Sequence, residues 1–431
     1  MQSIFFEHPA STTAMAMLLP HCRSDTALAC HTVIIGAGPA GSAAARKLAQ
    51  AGVDVLLIDQ HVLGRDKVCG DGLIPDAHQA LQHLGLLDPV MARARQVTHV
   101  GCIGPRGGRV DVPGNLAVLP RKELDEILTR GAVDAGARFM ASYRFEGVLE
   151  DASGRVAGVT IKHGDQSIEV RAQWVLLATG ANSGPLQMAG LCERQAPSGV
   201  ALRGYVRAPT LVGKIPNMEV IWHRAIRPGY GWIFPAPDDC FNIGVGVTDS
   251  HRELRNSKGV KKDLNLRTLF DAFCQHYAPA ATLMREGRLV GDLKGAPLRF
   301  SLRGARWSRP GLMVIGEAAG TTYSFTGEGI GKAMETGMLA AAALVRAHSR
   351  DTLDDVQVRE RYEQDLRQLQ PRYDQYERAN RINGTPWLVD LLIWRAQRSA
   401  RLLQRMSGIL SETSDPGHLV SLRGLKNLFL E

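Results

Sequence analysis

Three closely spaced glycines have the pattern of a loop that binds the pyrophosphate of a dinucleotide. Gly36, Gly38 and Gly41 follow the apolar run Thr32–Ile35 and precede a stretch rich in Ala, Lys, Arg and Leu. The run predicts a buried parallel strand, and the stretch predicts a helix. In such a unit the first glycine permits a tight turn, the second lets a pyrophosphate approach, and the third lets the helix pack closely. The start of the helix then offers unpaired N–H groups to phosphate oxygens.

An acidic residue completes this unit. Val53–Ile58 predicts a second strand, and Asp59 at its end follows Gly36 by 23 positions (59 − 36). This is close to the spacing of a carboxylate that binds a ribose hydroxyl. Residues 32–59 therefore predict a βαβ unit that binds NAD or FAD, and this segment alone leaves both open.

The composition excludes several classes of protein. The chain has 431 residues, of which 45% are hydrophobic and 22% charged, as is usual for globular proteins of two or three domains. No apolar run reaches the roughly 18 residues of a membrane-spanning helix. Seven cysteines are scattered without a CxxC pair, so we expect neither a metal site nor a disulfide framework. Reduced thiols in a cytoplasmic protein are the simplest interpretation.

The charge balance favours acidic partners. The net charge is +8 and the isoelectric point about 9.2, which suits phosphorylated substrates, anionic lipid or an acidic carrier protein. No basic stretch is interleaved with aromatic residues, so we do not expect nucleic-acid binding.

Further motifs resemble those of a known family. In chain order they are GRDKVCGDGL (64–73), PRKELD (120–125), LATG (177–180), PGYGWIFP (228–235), GVG (244–246), GEAAG (316–320) and FTGEGI (325–330). In this order and spacing, from about residue 31 to about 345, they resemble the geranylgeranyl reductase family of flavoproteins. That family belongs to the group with the para-hydroxybenzoate hydroxylase-like fold. The resemblance implies that the dinucleotide is FAD.

The resemblance also implies an architecture. It is an α/β fold with a Rossmann-like FAD-binding domain, an antiparallel-sheet substrate-binding domain and C-terminal helices. The expected ranges are 31–195 with 286–345 for the FAD-binding domain, 196–285 with strands near 97–120 for the substrate-binding domain, and 346–431 for the helical C-terminal region. We predict a disordered extension for residues 1–30, because no positive region precedes the apolar run Ala14–Pro20, as a secretory signal would require.

A set of FAD-binding residues follows from the resemblance. Arg121 matches an arginine directed at the pyrophosphate, whose oxygens a planar guanidinium pairs with well. The segment from Gly316 to Gly331 matches a second flavin motif, with a helix starting at about Gly329 whose positive end faces the flavin. Glu317 stands where the family usually has aspartate, and Ser324 where it often has proline. The expected set is Gly36, Gly38, Pro39, Ala40, Gly41, Asp59, Gln60, Lys67, Gly70, Arg121, Gly180, Glu317, Gly329, Ile330 and Gly331.

Cys69 is the candidate catalytic acid. The resemblance places its loop near the isoalloxazine, and the family's reaction delivers a hydride to one alkene carbon while a proton must reach the other. A thiol with an ordinary pKa of about 8.5 is protonated at neutral pH. Two plainer interpretations stay open: a small buried hydrophobe for Cys69 and a solvated side chain for Lys67.

An alternating aromatic motif predicts a substrate pocket. Tyr230, Trp232 and Phe234 share one face of a strand and match the family's YxWxFP signature. Gly244 and Gly246 on a neighbouring strand are expected to leave room above the flavin. We favour a pocket for an apolar or lipid-like substrate over pure hydrophobic core.

The C-terminal segment Trp387–Arg405 is apolar first and basic afterwards. We favour a helix that covers the substrate-binding domain. The alternative is docking on a membrane surface or on a carrier protein. The expected location is cytoplasmic, with peripheral membrane attachment as the alternative.

The sequence thus predicts an FAD-dependent oxidoreductase that reduces carbon–carbon double bonds of an isoprenoid or other apolar unsaturated substrate. The alternative is a flavin monooxygenase or halogenase, in which Lys67 would be the halogenase-type lysine. Against it, the chain lacks a WxWxIP motif and has Gly320 where aromatic hydroxylases commonly carry histidine. A non-enzymatic FAD-binding protein is disfavoured. No second GxGxxG offers an NAD(P)H domain, so NAD(P)H, a partner reductase and ferredoxin all stay open as electron donors.

Overall fold

A computed structural model describes residues 28–248, 265–350 and 354–417. The predicted extension lies outside the described residues except for its last three positions, and so does the end of the predicted C-terminal region, 418–431. Within the described ranges the chain forms two eight-stranded sheets with helices around them, which confirms the predicted α/β class.

The first sheet carries the glycine loop. Its strands are β1 (Leu28–Ile35), β2 (Val55–Asp59), β6 (Arg138–Ala141), β7 (Arg144–Glu150), β8 (Val156–His163), β9 (Gln166–Leu177), β15 (Ser308–Arg309) and β16 (Leu312–Val314). Their order is β15-β16-β9-β1-β2-β6, with β8 joining β9 to β7. The central strands run parallel. Ile34 packs on one face of the sheet and Val33 and Ile35 pack on the other, so the apolar run is continuous.

Strand β1 begins earlier than we predicted. Leu28–Cys30 pair in parallel with Val170–Ala172 of β9. The predicted start of the domain at residue 31 was therefore wrong by three residues. The half-buried His31 interrupts the apolar pattern, and this hid the continuity of the strand.

The second sheet is antiparallel except at one pair. Its strands are β3 (Gly72–Leu73), β4 (Arg95–Ile103), β5 (Arg109–Val118), β10 (Gly199–Arg207), β11 (Met218–Ile221), β12 (Gly229–Pro235), β13 (Cys240–Thr248) and β14 (Arg288–Leu298). Their order is β14-β10-β13-β12-β11-β4-β5-β3. Only β11 and β4 pair in parallel among these. The strands expected near 97–120 are β4 and β5.

Strand β14 corrects the predicted domain ranges. It pairs along its length with β10, from Gly199 opposite Leu298 to Arg207 opposite Arg288. Residues 288–298 therefore extend the substrate-side sheet, and their assignment to the FAD-binding domain was wrong. An edge strand that is mostly exposed carries too weak a hydrophobic pattern to reveal its sheet.

The helices described are α1 (Pro39–Gln50), α2 (Pro75–Leu84), α3 (Leu87–Met91), α4 (Arg121–Asp134), α5 (Ser183–Met188), α6 (Leu266–His276), α7 (Ala278–Glu286), α8 (Ile330–Arg350), α9 (Asp355–Ala379), α10 (Pro386–Ala396) and α11 (Ala400–Leu410). Helices α6 and α7 cover one face of the second sheet through Phe270, Phe273 and Leu283. Helix α10 packs on Val110 and Val112 of β5, the covering arrangement favoured from the sequence. Among the helices described, none combines the length and apolarity needed to cross a bilayer.

Candidate functional site

Two glycines of the phosphate loop, Gly36–Gly41, lie so close to the backbone that no side chain fits there. Gly36 has φ +109°, and a Cβ there would lie 2.4 Å from the Ala178 carbonyl oxygen. A Cβ on Gly41 would lie 1.9 Å from the Gly36 carbonyl oxygen. Both positions therefore require glycine, because β1 turns directly into α1.

Arg121 lies beside the middle of the phosphate loop. A Cβ on Gly38 would be 3.6 Å from its Nη2 atom, an ordinary contact distance. Arg121 is 8% exposed, and its guanidinium donates two hydrogen bonds, of 2.7 and 2.9 Å, to Asp125 one helical turn away. Burial alone would lower the pKa of Arg121, but the charge of Asp125 raises it. A permanently charged guanidinium thus adjoins the loop.

Asp59 also lies at this loop. Its Oδ2 accepts a 2.8 Å hydrogen bond from the Ala37 N–H, and its Oδ1 accepts one of 2.9 Å from the His61 N–H. Arg65, which we did not predict, lies 3.9 Å from Asp59 and 3.7 Å from Asp125. Gln60 is exposed at the rim. The predicted ribose-side residues are therefore together.

The second flavin segment packs directly on α1. A Cβ on Gly316 would lie 2.5 Å from the Ala40 Cβ, and a Cβ on Gly337 would lie 2.2 Å from the Ala40 carbonyl oxygen. Glu317 Oε1 accepts a 3.3 Å hydrogen bond from the Thr322 hydroxyl. Its Oε2 lies 3.9 Å from the position of a Cβ on Gly180. The structure thus joins this segment to the start of α1, where Pro39 occupies the first turn.

The start of α8 meets a buried acid. The helix begins at Ile330, one residue after the predicted Gly329. A Cβ on Gly331 would lie 2.2 Å from Asp76 Oδ2, so the helix end closes on that carboxyl. Burial raises the pKa of Asp76 to about 7, although Lys332 lowers it. Asp76 was not predicted; its signal is an acid directly after Pro75 at a helix start.

Lys332 links α8 to the end of the described chain. Its Nζ lies 2.8 Å from Glu412 and 3.0 Å from Glu335. Glu412 also accepts a 2.9 Å hydrogen bond from the Tyr323 hydroxyl and one from Arg372. Lys332 is 3% exposed, so these carboxylates compensate the burial of its charge.

The thiol loop, Lys67–Gly72, follows β2. Cys69 Sγ accepts a 3.3 Å hydrogen bond from the Asp71 N–H, and the side chain packs against the apolar cluster that contains Ile330. A Cβ on Gly70 would lie 3.3 Å from Phe234 Cε2. The carbonyl oxygen of the half-buried Lys67 accepts a 2.9 Å hydrogen bond from Arg203 Nη2. The loop thus bridges α8 and the second sheet.

The pKa of the Cys69 thiol is raised, first by burial and then by the charge of Asp71. Asp71 itself is fully buried with φ +62°. Its carboxylate accepts hydrogen bonds from the Asn242 amide at 2.7 Å, the Arg121 N–H at 3.3 Å and the Tyr205 hydroxyl. Burial raises the pKa of Asp71 to about 6. At neutral pH, the thiol keeps its proton beside a carboxylate.

Asn242 joins this loop to the aromatic motif. Its amide nitrogen donates a 2.8 Å hydrogen bond to the Cys69 carbonyl, and its Oδ1 accepts one of 2.8 Å from Trp232 Nε1. We did not predict Asp71, Tyr205 or Asn242. The sequence does offer one indication, an Asn within the apolar run FNIGVGV. Such a run predicts a buried strand, and a buried amide must find hydrogen-bond partners.

Aromatic rings form a row on the face of the second sheet opposite α6. Ring centroids are 6.1 Å apart for Trp222 and Tyr230, and 6.4 Å apart for Tyr230 and Trp232 and again for Trp232 and Phe234. The shared face predicted from their alternation is therefore present. The Tyr230 hydroxyl donates a 2.8 Å hydrogen bond to the Thr326 carbonyl, which ties the row to the second flavin segment.

Gly244 has a different role from the one predicted. A Cβ on Gly244 would lie 2.3 Å from Trp232 Cζ2, so this glycine makes room for the indole of Trp232 and the expectation of room above a flavin was wrong here. A Cβ on Gly246 would lie at an ordinary 3.6 Å from Trp232 Cζ3, and its role beside a flavin stays a prediction.

The residues present fit FAD. The phosphate loop and Arg121 suit a pyrophosphate, and the start of α8 suits a polar ring edge. Within the described ranges, four buried hydroxyls near these elements have no hydrogen-bond partner: Thr179, Thr321, Ser324 and Thr326. Buried polar groups are normally satisfied, so a bound group with polar edges would complete them.

Comparison with known proteins supports this assignment. Residues 29–210 match the family described as FAD binding domain. The menaquinone reductase of Mycolicibacterium smegmatis is 34% identical over 72% of this chain and 75% of its own length. The digeranylgeranylglycerophospholipid reductase of Methanosarcina mazei is 30% identical over 78% of this chain and 80% of its own.

Solved structures show the same fold. A geranylgeranyl bacteriochlorophyll reductase-like protein from Thermoplasma acidophilum superposes with a TM-score of 0.73 at 22% identity, covering 94% of this chain and 97% of that one. A flavin-dependent brominase gives 0.72 at 20% identity, covering 93% and 97%. At these identities, the likeness concerns the fold alone.

Two reductases of at least 30% identity match this chain over three quarters or more of their length. The predictions of FAD, of a flavoprotein fold and of an FAD-dependent oxidoreductase are confirmed. The chain belongs to the geranylgeranyl reductase family of FAD-dependent oxidoreductases.

Proposed function

We propose that this protein reduces carbon–carbon double bonds in the polyprenyl chain of a lipid or quinone. The observation that carries the proposal is the position of the Cys69 thiol between the start of α8 and the aromatic row. Burial raises the pKa of this thiol, so we expect it to be protonated at neutral pH. An acid beside an apolar wall suits an unsaturated hydrocarbon, which offers no hydrogen-bonding group of its own.

The names of the relatives support this substrate class. One acts on menaquinone by its name, and the other on digeranylgeranylglycerophospholipid. Both molecules carry prenyl chains with isolated double bonds. The shared chemistry favours a prenyl chain as the part that enters the site, with head groups that differ between substrates.

When bound and reduced, FAD would supply the hydride chemistry at one alkene carbon. Gly38, Arg121 and Asp59 would hold its ADP half, and the start of α8 would hold its ring system. Cys69 donates its proton to the second carbon, so that the S–H bond breaks while a C–H bond forms. Water then returns a proton to the sulfur. The product has gained two electrons and two protons.

Asp71 acts on this step through Cys69. Its negative charge helps to raise the pKa of the thiol, so Cys69 is in its protonated form when the substrate binds. The Asn242 side chain holds the thiol loop by donating a hydrogen bond to the Cys69 carbonyl, and it orients Trp232 by accepting one from its indole. The proton donor and the hydrophobic wall are therefore set by one amide side chain.

We propose that the electron donor is NAD(P)H, a partner reductase or ferredoxin. The protein would work from the cytoplasm on a lipid-borne substrate and touch the membrane surface. A carrier protein that presents the substrate is the alternative partner.

The decisive experiment reduces the purified FAD-loaded protein with dithionite under anaerobic conditions. It is then given menaquinone, digeranylgeranylglycerophospholipid or a shorter geranylgeranyl compound, and the products are analysed by mass spectrometry. We expect one substrate to gain two hydrogens per reduced bond. Absence of alkene reduction across the panel would contradict the proposal.

The same preparation tests the oxygen-dependent alternative. A monooxygenase or halogenase would consume oxygen when its substrate is added, and a halogenase would also require halide. We expect no substrate-stimulated oxygen uptake. Uptake coupled to a hydroxylated or halogenated product would replace the reductase proposal.

A further inference from the structure

Helix α10 has an apolar stripe on its outer side. Trp387 and Trp394 are 59% and 47% exposed, and their spacing of seven places them on one side of the helix. Leu391 lies between them, is half-buried and also touches the apolar cluster on β5. Leu388 and Leu392 of that cluster are buried and pack on β5. The two exposed indoles are therefore not needed to hold the helix on the sheet.

The segment around this stripe is strongly basic. From Arg381 to Arg405, both included, the segment holds five arginines and one acid, which gives a net charge of +4 (5 − 1). The acid, Asp390, lies 3.7 Å from Arg106 of the neighbouring hairpin. The Arg398 guanidinium lies 4.8 Å from the centre of the Trp394 ring. Positive charge thus borders the exposed indoles.

We propose that the tryptophan surface, which consists of Trp387, Leu391, Trp394 and Arg398, docks on an anionic lipid bilayer. Indoles prefer the boundary between head groups and acyl chains, and arginines pair with lipid phosphates. An acidic protein would satisfy the charges, but two indoles on a convex helix suit a deformable bilayer better than a rigid partner. The inference rests on the proposed function in that the substrate is a membrane lipid.

The inner side of α10 is connected to the aromatic row. Trp222 and Phe325 pack against the cluster that includes Leu388 and Leu392 on the inner side of α10. Asn383, just before the helix, accepts a 2.8 Å hydrogen bond from Trp222 Nε1 and donates one of 2.9 Å to the Phe325 carbonyl. Docking would therefore place the bilayer one helix away from the end of the aromatic row.

The test measures binding of the full-length FAD-loaded protein to phosphatidylcholine vesicles, with and without phosphatidylglycerol, by flotation. We expect binding that requires the anionic lipid and falls with salt. The double variant Trp387→Ser with Trp394→Ser should bind about tenfold or more weakly, because affinity scales with buried apolar area. Arg398→Gln should cost about fivefold.

The matched control replaces two exposed apolar residues elsewhere, Val62→Ser with Met188→Ser, which are 65% and 45% exposed. It should bind vesicles like the unchanged protein. If the tryptophan variant bound vesicles as well as the unchanged protein, the proposal would be overturned. It would also be overturned if the unchanged protein did not float with vesicles but bound acyl carrier protein tightly. The readout does not involve turnover, so an inactive protein that floats would overturn only the proposed function.

Discussion

The phosphate loop and the thiol loop follow adjacent parallel strands, yet they are held in different ways. The first is fixed by backbone atoms so close that a Cβ on Gly36 or Gly41 would collide with a carbonyl oxygen. The second is fixed by side chains from the other sheet, which hydrogen-bond its backbone and its buried carboxylate. Cofactor binding thus depends on glycines that carry no side chain, whereas the proposed chemistry depends on buried polar side chains.

The difference has an energetic consequence. A backbone turn imposes the same geometry whatever the pH, because it contains no titrating group. The thiol loop contains Cys69 and Asp71, whose pKa values are both raised by burial. We therefore expect FAD binding to vary little with pH and the reductive step to vary strongly.

The largest expected effect is at the thiol. Cys69→Ala removes the proposed proton donor, so kcat for alkene reduction should fall by about 10²–10⁴-fold, while the FAD content and its reduction by dithionite stay unchanged. Stopped-flow reduction and product formation separate the two steps. Cys274→Ala, at a half-buried thiol on α6, is the control. Equal turnover by Cys69→Ala would assign the proton to another group.

The next effect is at the phosphate loop. Gly38→Ala fits the fold, because its Cβ meets Arg121 at an ordinary 3.6 Å, but the methyl group would occupy space that a pyrophosphate needs. The Kd for FAD should rise about tenfold to a hundredfold with an unchanged melting temperature of the FAD-free protein. Titration by fluorescence measures it. Gly213→Ala, at a glycine with open space around it, should bind FAD normally, and equal loss in both variants would refute the assignment.

A pH dependence of stability should follow from Asp71. Its pKa is about 6 in the folded protein against an ordinary 3.8, so the folded state binds the extra proton between these values. Stability should therefore fall as pH rises from about 4 to about 6, by up to about 3 kcal/mol. Asp71→Asn should remove this part of the pH dependence and leave the part that comes from Asp76, whose pKa burial raises to about 7. Urea unfolding at each pH tests it, and parallel curves for the two proteins would show that Asp71 titrates normally.

The smallest expected effect is on thiol reactivity. Asp71→Asn removes the charge that helps to raise the pKa of Cys69, so alkylation of Cys69 at pH 8 should accelerate by roughly a few-fold. Peptide mass spectrometry after iodoacetamide treatment measures it at this residue. Tyr205→Phe keeps the charge of Asp71 and should show no acceleration. A rate unchanged in Asp71→Asn would show that burial alone sets the pKa.

The sequence predicted the phosphate loop well because its requirements are local. A tight turn, a close approach and a helix start are all set by residues within six positions, and Arg121 was added by the family resemblance. The three aromatic residues were also predicted to share a face, because alternation along a strand is local too. These parts need no knowledge of which strands are neighbours.

The polar network was missed because its members come together only in the folded sheet. Asp71 and Asn242 are 171 positions apart, and no spacing rule links an acid between two glycines to an amide in a distant strand. Gly244 was misinterpreted for the same reason, since its neighbour Trp232 lies opposite it on another strand. Strand β14 was misplaced because an exposed edge leaves little apolar pattern.

The contact between Lys332 and Glu412 also bears on how the molecule is made. Lys332 leaves the ribosome 80 residues before Glu412, and its buried ammonium group needs that carboxylate. The start of α8 therefore reaches its final set of contacts only after residue 412 has been synthesised. We expect tight FAD binding to require a chain that has been made at least that far.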